Sequence, residues 1–301
     1  MNRPAPPAGI DVPRVSRPDV WPAIAAASRR TDAARVPFTV QGRAVGSVAR
    51  AHLPALLGRT TVFRVDGSGV DLLVSPDERD AALACVNATL HQEGLIVAWR
   101  DEMFPLFDPL TLQPLARIER AAARFWGTLT LGAHANGYVA GNDGRPSHLW
   151  IAQRSFAKAT DPGLFDNLVG GGVPAGQTPR EALVREGWEE AGLPSHVMQQ
   201  ALDGRVIRLQ RDIREGLQHE WLFAYDLPLA AGQLPVNQDG EVAGFQLLPL
   251  EQAMALAAGD TMTVDASLVT LDFMLRHHLL PPGRLQALAQ AAEALWVQVP
   301  R

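Results

Sequence analysis

"GGGVPAGQTPREALVREGWEEAGL", residues 170–193, sets a run of glycines ahead of a helix whose last turns hold Glu186, Glu189 and Glu190. The start of that helix is specified locally. Thr178 caps it, Pro179 suits its first turn, and Glu181 completes a capping box. Gly192 followed by Pro194 is the matching stop. At about 100° per residue, Leu183, Val184, Gly187, Trp188 and Ala191 share one face, with Trp188 read as core packing. The three glutamates gather within roughly 100° of one another on the opposite side, with Arg185 at the edge.

That placement is locally unfavourable. A helix C-terminus carries about −0.5 of a charge, so each carboxylate there is disfavoured by a few tenths to about 1 kcal/mol. Glu186 and Glu190, one turn apart, add a like-charge penalty of similar size, and Arg185 offsets only part of the sum. A divalent cation would offset all of it, because hard ions such as Mg²⁺ prefer carboxylate oxygens. The alternative reading of the same residues is a solvated acidic face. The glycines favour the first, since backbone without side chains can approach a ligand closely. A dinucleotide fingerprint at Gly170, Gly172 and Ala175 is rejected: the acid about twenty residues on, Glu190, lies in the helix and not at a strand end.

Outward from this stretch the chain changes pattern near residue 120. We expect a leader over residues 1–19, proline-rich and without the apolar centre of a secretory signal. A smaller α+β domain is expected over 20–120, and a larger one over 121–301. In the first, residues 20–57 read as alanine-rich helices ("WPAIAAASRR", "VGSVARAHLPALL"). "TVFRVDGSGVDLLV" (61–74) reads as a hairpin and "SPDERDAALACVNATLHQEGL" (75–95) as a capped helix ending at Gly94. "IVAWRDEMFPLFD" (96–108) reads as a strand entering a loop, and "RIERAAARFWG" (117–127) as a short helix. In the second, "TLTLGAHANGYVAG" and "HLWIAQRS" read as paired strands, and "LFDNLVGGG" as a third. "RVIRLQRD", "HEWLFAYDL" and "VAGFQLLPL" read as further strands. "LEQAMALAAG", "VDASLVTLDFMLRHHL" and "GRLQALAQAAEALWVQ" read as helices. Strands and helices without regular alternation predict an α+β fold, an α/β/α sandwich around a mixed sheet.

Composition narrows the function. The chain has 301 residues and a net charge of −5 without a long basic run, which disfavours a nucleic-acid polymer as partner. No run of eighteen apolar residues offers a membrane span. The single cysteine, Cys85, excludes an internal disulfide framework and fits a reducing cytoplasm. A homodimer is left open.

Gly171, position 177, Arg185-Glu186, Glu189-Glu190 and Gly192 reproduce the spacing of the Nudix box, G-x5-E-x7-R-E-U-x-E-E-x-G-U, and the chain is identified as resembling the Nudix hydrolases, or MutT-like proteins. Two positions depart from the pattern. Gln177 stands where the family has a glutamate that orients the box arginine, a role open to a neutral hydrogen-bond partner. Gly187 stands at a usually bulky apolar site and suggests close packing of the helix on the sheet. "WRDEMFPLFD", "RIERAAARFWG", "HANGYV", "DNLVGGG", "FAYDLPL" and "DGEVAGFQLLPL" extend the resemblance to the Nudix proteins related to the part fused to fungal thiamine pyrophosphokinase, whose N-terminal domain has a poorly understood role.

The resemblance implies a sanitising diphosphatase that acts on damaged thiamine diphosphate analogues such as oxothiamine diphosphate, with Mg²⁺ or Mn²⁺ as cofactor. By position, Glu186, Glu189 and Glu190 are the implied metal ligands, with a main-chain carbonyl of Gly170 or Gly171. Arg185 belongs to the same catalytic set, and Glu241, in a loop before a strand, is a further candidate ligand or base, or a surface acid. Arg154 and Lys158 are candidates for the phosphates, or solvated strand-end cations. Trp99, His134, Asn136 and Tyr138 could face a flat heteroaromatic ring, or be structural. Two other readings remain: a Nudix hydrolase of nucleoside diphosphate derivatives, such as oxidised deoxyguanosine diphosphate or ADP-ribose, and a Nudix-fold binding module that does not cleave its ligand.

Overall fold

The computed structural model describes residues 20–230 and 232–300, so the expected leader over 1–19 lies outside the described residues. The first half contains α1 (Pro22–Ala27), β1 (Arg35–Val40), β2 (Arg43–Ala49), β3 (Phe63–Val65), β4 (Val70–Leu72), α2 (Arg79–Gln92), β5 (Met103–Phe107), β6 (Pro114–Glu119) and α3 (Ala122–Trp126). Then follow β7 (Thr130–Ala140), β8 (Pro146–Arg154), β9 (Phe165–Asp166), β10 (Val169–Gly172), α4 (Pro179–Ala191), α5 (Ser195–Met198), β11 (Leu202–Ile213) and β12 (Gly216–Pro228). The chain continues through β13 (Val242–Pro249), α6 (Leu250–Ala257), α7 (Val264–Arg276), α8 (Pro282–Ala292) and β14 (Trp296–Val297).

The sequence expectation fails for most of residues 20–57. Only α1 is α-helical there, and "VGSVARAHLPALL" is a strand running into a 3₁₀ turn. The physical reason is the turn before it. Gln41 and Gly42 both take positive φ, 52° and 76°, the pair of left-handed residues that a tight hairpin needs. With that turn in place, Val36, Phe38 and Val40 of β1 alternate inward and meet Val45 and Val48 of β2. Likewise, the first part of "RIERAAARFWG" belongs to β6, and only Ala122–Trp126 is helical, closed by Gly127 in the left-handed conformation. "LFDNLVGGG" forms two short strands, β9 and β10, and "WV" at the end of the last helical run is strand β14.

The first half folds around a four-stranded sheet, β2-β1-β4-β3, with α2 against it. Phe38 and Phe63 pack on Trp126, with ring centroids 4.6 and 5.2 Å away, and Trp126 Nε1 donates to Asn87 Oδ1 at 2.8 Å. The larger sheet runs β13-β8-β7-β12-β11-β14 and is mixed: β7 and β12 are parallel and their outer neighbours antiparallel. Alternation sorts its two faces. Leu149 and Ile151 join one core with α6, α7 and α8, while Trp150 between them joins the other with α4 and α5. This is the expected α/β/α sandwich. β7 is its hinge: residues 137–140 pair with β8, while 132–135 pair with β10 and carry the glycines to the sheet.

Trp21, at the start of the described chain, does not join the core of the first half. It is 3% exposed among the C-terminal helices, and its Nε1 donates to Ser267 Oγ at 2.9 Å. Removing a buried indole leaves a cavity as well as lost transfer energy, about 3–5 kcal/mol. Trp21→Ala should lower the unfolding free energy by that amount in urea titrations, and Trp21→Phe by less. A loss under about 1 kcal/mol for the alanine variant would show that the indole is not holding the helix layer.

Candidate functional site

α4 begins as its sequence dictates. Thr178 Oγ1 accepts from the Glu181 backbone N–H, Glu181 reaches back to the Thr178 backbone, and Gly192 closes the helix at φ 62°. The buried side of the helix carries Ala182, Leu183, Gly187 and Ala191 together with two of the acids. Glu186 and Glu190 are buried, whereas Trp188 is 55% exposed, which corrects its reading as core packing. The tight contact at Gly187 is also not with the sheet: a Cβ there would strike the Met198 side chain, so the glycine lets α5 lie against α4.

The two buried glutamates lie over the glycine strand. The Gly170 N–H donates to Glu190 Oε2 at 3.0 Å, and a Cβ at Gly171 would collide with the Glu186 carboxylate. A side chain at Gly171 would have to displace the Glu186 carboxylate, and the solvated-face reading fails for both acids. Burial, then the neighbouring Glu186, pushes the Glu190 carboxyl up to about 8. Burial likewise raises Glu186, against the opposing pull of Arg185 and Arg120.

Two cations answer this charge. Arg185 spans Glu186 (2.8 Å) and Glu189 (2.6 Å), and its Nε donates to Gln177 Oε1 at 3.3 Å, so the glutamine does hold the arginine. Glu189 is thereby turned toward Arg185 and stays half-exposed. Lys158 Nζ lies 2.5 Å from Glu241 Oε2 and 3.6 Å from Glu190 Oε1. Burial works to raise Glu241, but the Lys158 contact outweighs it and keeps its carboxyl below the usual range. Among the described residues no three acids, histidines or cysteines already form an ion cage. The donor set nonetheless fits a hard divalent cation. Paired buried carboxylate oxygens, one of them hard to ionise alone, are what such an ion relieves.

A cavity of about 200 Å³ opens beside the glycine strand, with His134, Arg154 and Asp166 among its lining. His134 Nδ1 is 3.2 Å from Asn167 Oδ1, and its ring stands where a Cβ on Gly170 would fall. Arg154 is tied to Asp166 at 2.9 Å and to two backbone carbonyls of the following loop. The other ring-facing candidates lie elsewhere. Asn136 is buried as a brace, donating to the Val269 carbonyl of α7 and accepting from Asn167 Nδ2. Tyr138 packs on Phe273 of α7, with ring centroids 5.6 Å apart. Trp99 stacks on His91 and donates to Asp101. Each is held by these partners, and none of the three is among the residues lining the cavity.

Residues that the sequence reading passed over complete the lining. Gln218 Nε2 donates to both oxygens of Asp265 (3.3 and 3.1 Å) and to Glu220 Oε2 (3.1 Å), while Arg211 donates to Gln218 Oε1. Arg120 and Arg124 form another part of the wall. They belong to three separate segments, so no local spacing could have assembled them.

Asp265 is packed closely by protein, and burial, then Glu220, pushes its carboxyl up to about 6 from 3.8. A folded-state pKa above the unfolded one means that the folded state holds the proton more tightly. The resulting stability is fully present below 3.8 and is lost as pH rises through about 6. The melting temperature should therefore carry a downward component between about pH 4 and about pH 6 that is absent in Asp265→Asn. Identical pH profiles for the two proteins would contradict the assignment.

Residues 130–267 match the NUDIX domain family, and residues 21–130 match a domain of unknown function (DUF4743). The chain is 36% identical over 253 residues to "Nudix hydrolase 24, chloroplastic" of Arabidopsis thaliana, covering 82% of this chain and 69% of that protein. It is 34% identical over 261 residues to "Nudix hydrolase 20, chloroplastic" of the same plant, again covering 82% and 69%. A crystal structure of DR0079 from Deinococcus radiodurans is similar at 24% identity and a TM-score of 0.43, covering 57% of this chain and 99% of that one.

Proposed function

Because this chain belongs to the Nudix hydrolase family, we propose that it cleaves a phosphate from a small diphosphate in a reaction assisted by Mg²⁺ or Mn²⁺. The substrates we propose are damaged thiamine diphosphate analogues such as oxothiamine diphosphate, which would leave as the monophosphate. The observation that carries the hydrolase reading is the burial of Glu186 and Glu190 together against Gly170 and Gly171. No folding advantage explains two adjacent acids there, since each is disfavoured by desolvation and by the other.

Glu186 and Glu190 would hold the ion, joined by Glu189 and a carbonyl of Gly170 or Gly171. A bound divalent ion supplies charge for the phosphate oxygens and lowers the pKa of the attacking water. The chain's own residues do the positioning. Gln177 fixes Arg185, and Arg185 fixes the carboxylates of Glu186 and Glu189 by two charge-assisted bonds. Lys158 keeps Glu241 ionised at the edge of the site, where it can accept a proton from water.

A panel of diphosphates assayed for phosphate release with Mg²⁺ tests the substrate. Oxothiamine diphosphate should be turned over faster than thiamine diphosphate, ADP-ribose or oxidised deoxyguanosine diphosphate, and a preference for a nucleoside derivative would overturn the thiamine assignment. Glu190→Gln should reduce turnover by about 100-fold or more with the melting temperature held or raised, because a buried ionisable group is removed. Undiminished turnover in that variant would refute the metal-site assignment.

A further inference from the structure

The first half of the chain touches the catalytic strand at several independent points. The Ala175 N–H donates to the Met103 carbonyl at 2.8 Å, which ties β5 to the loop after β10. A Cβ at Gly172 would strike the Phe104 ring, so that ring lies flush with the glycine strand. Arg100 Nη1 is 3.4 Å from Glu241 Oε1. The β5–β6 hairpin and the segment just before it are thus fixed against the site by a backbone bond, an aromatic contact and an ion pair, and the chain leads directly into Arg120 and Arg124.

Both arginines line the cavity beside the glycine strand and a smaller one beside Gly172. The cations near the glycines other than Arg124 already have polar partners. Arg154 is paired with Asp166, Lys158 with Glu241, and Arg211 with the Gln218 amide that holds Asp265 and Glu220. Arg120 bonds Glu102 Oε2 at 2.8 Å through Nη1, and its guanidinium sits 5.4 Å from the Phe104 ring centroid. Arg124 is half-buried, and its guanidinium has no polar partner among the described residues. A partly desolvated guanidinium facing a cavity favours an anion with several oxygens, which its planar fork can grip in pairs.

We infer that the N-terminal half forms a fixed wall of the catalytic cleft, and that Arg120 and Arg124 on that wall grip the phosphate oxygens of the substrate. The assignment rests on the diphosphatase reading for the identity of the anion. It gives the first domain a binding task at the same site as the second. Phe104 and Glu102 are then positioning residues that hold Arg120 in place.

The test is titration of the full chain with inorganic pyrophosphate by calorimetry, with Ca²⁺ present so that the carboxylate side of the site is equally loaded in every protein. Arg124→Ala and Arg120→Ala should each weaken binding by about tenfold, as expected for one lost charge-assisted contact. Arg124→Lys, which keeps the charge and the helix, should recover part of the loss. Arg117→Ala should bind like the parent, since Arg117 lies on the same hairpin but is exposed and paired with Asp80. Parent-like affinity in both alanine variants would overturn the inference, as would an equal loss at Arg117. Arginine-dependent pyrophosphate binding by a protein that hydrolyses no diphosphate would sustain the wall and remove the diphosphatase reading. Hydrolysis indifferent to both arginines would do the reverse.

Discussion

Two carboxylates lying over one glycine strand set the terms for the rest of this molecule. Glu190 accepts from the Gly170 backbone, and Glu186 fills the space where Gly171 has no side chain. Two acids that a globular protein would ordinarily turn to water therefore share the buried side of α4 with Leu183, Gly187 and Ala191. Arg185, Lys158 and Gln177 are arranged around the resulting charge, and the helix keeps its strong caps at both ends. The buried pair is unfavourable on its own account, so the surrounding scaffold has to be rigid enough to hold it. β7 supplies that rigidity, pairing on one edge with β8 and β10 in succession and on the other with β12.

What could be read in the sequence follows the range of the forces involved. The helix 179–191 is specified by contacts only a few residues apart, and its caps appear as predicted. The strands of the large sheet are alternating apolar runs bounded by turn residues, and they too were legible. Residues 43–49 were misread because alanines suit either state, and the signal that decides them is the two-residue Gln41-Gly42 turn. Trp188 is expected inside from the hydrophobicity of its side chain alone. Here the requirement of the site outranks that preference, and the indole is left in solvent.

The candidate site divides the same way. Glu186, Glu189, Glu190, Arg185 and the glycines lie within one continuous motif, so their proximity followed from spacing. Glu241 and Lys158 were placed near it from neighbouring loops and meet each other there. Asn136, Tyr138 and Trp99 were chosen for chemical type alone, and each turns out to be occupied by packing. The lining formed by Gln218, Glu220 and Asp265 depends on β12 lying near the start of α7, a long-range arrangement that one sequence does not encode locally.

The path of the chain ties its parts together at both ends of the first half. Trp21 sits in the helix layer of the second core, while Phe125 and Trp126, more than a hundred residues later, sit in the first. An expression clone cut between residues 120 and 130 would strip the larger piece of its indole plug and expose the aromatic floor of the smaller one. The two sequence modules are in this sense a single folding partnership, and recombining either with a foreign neighbour would require rebuilding a hydrophobic surface at the seam.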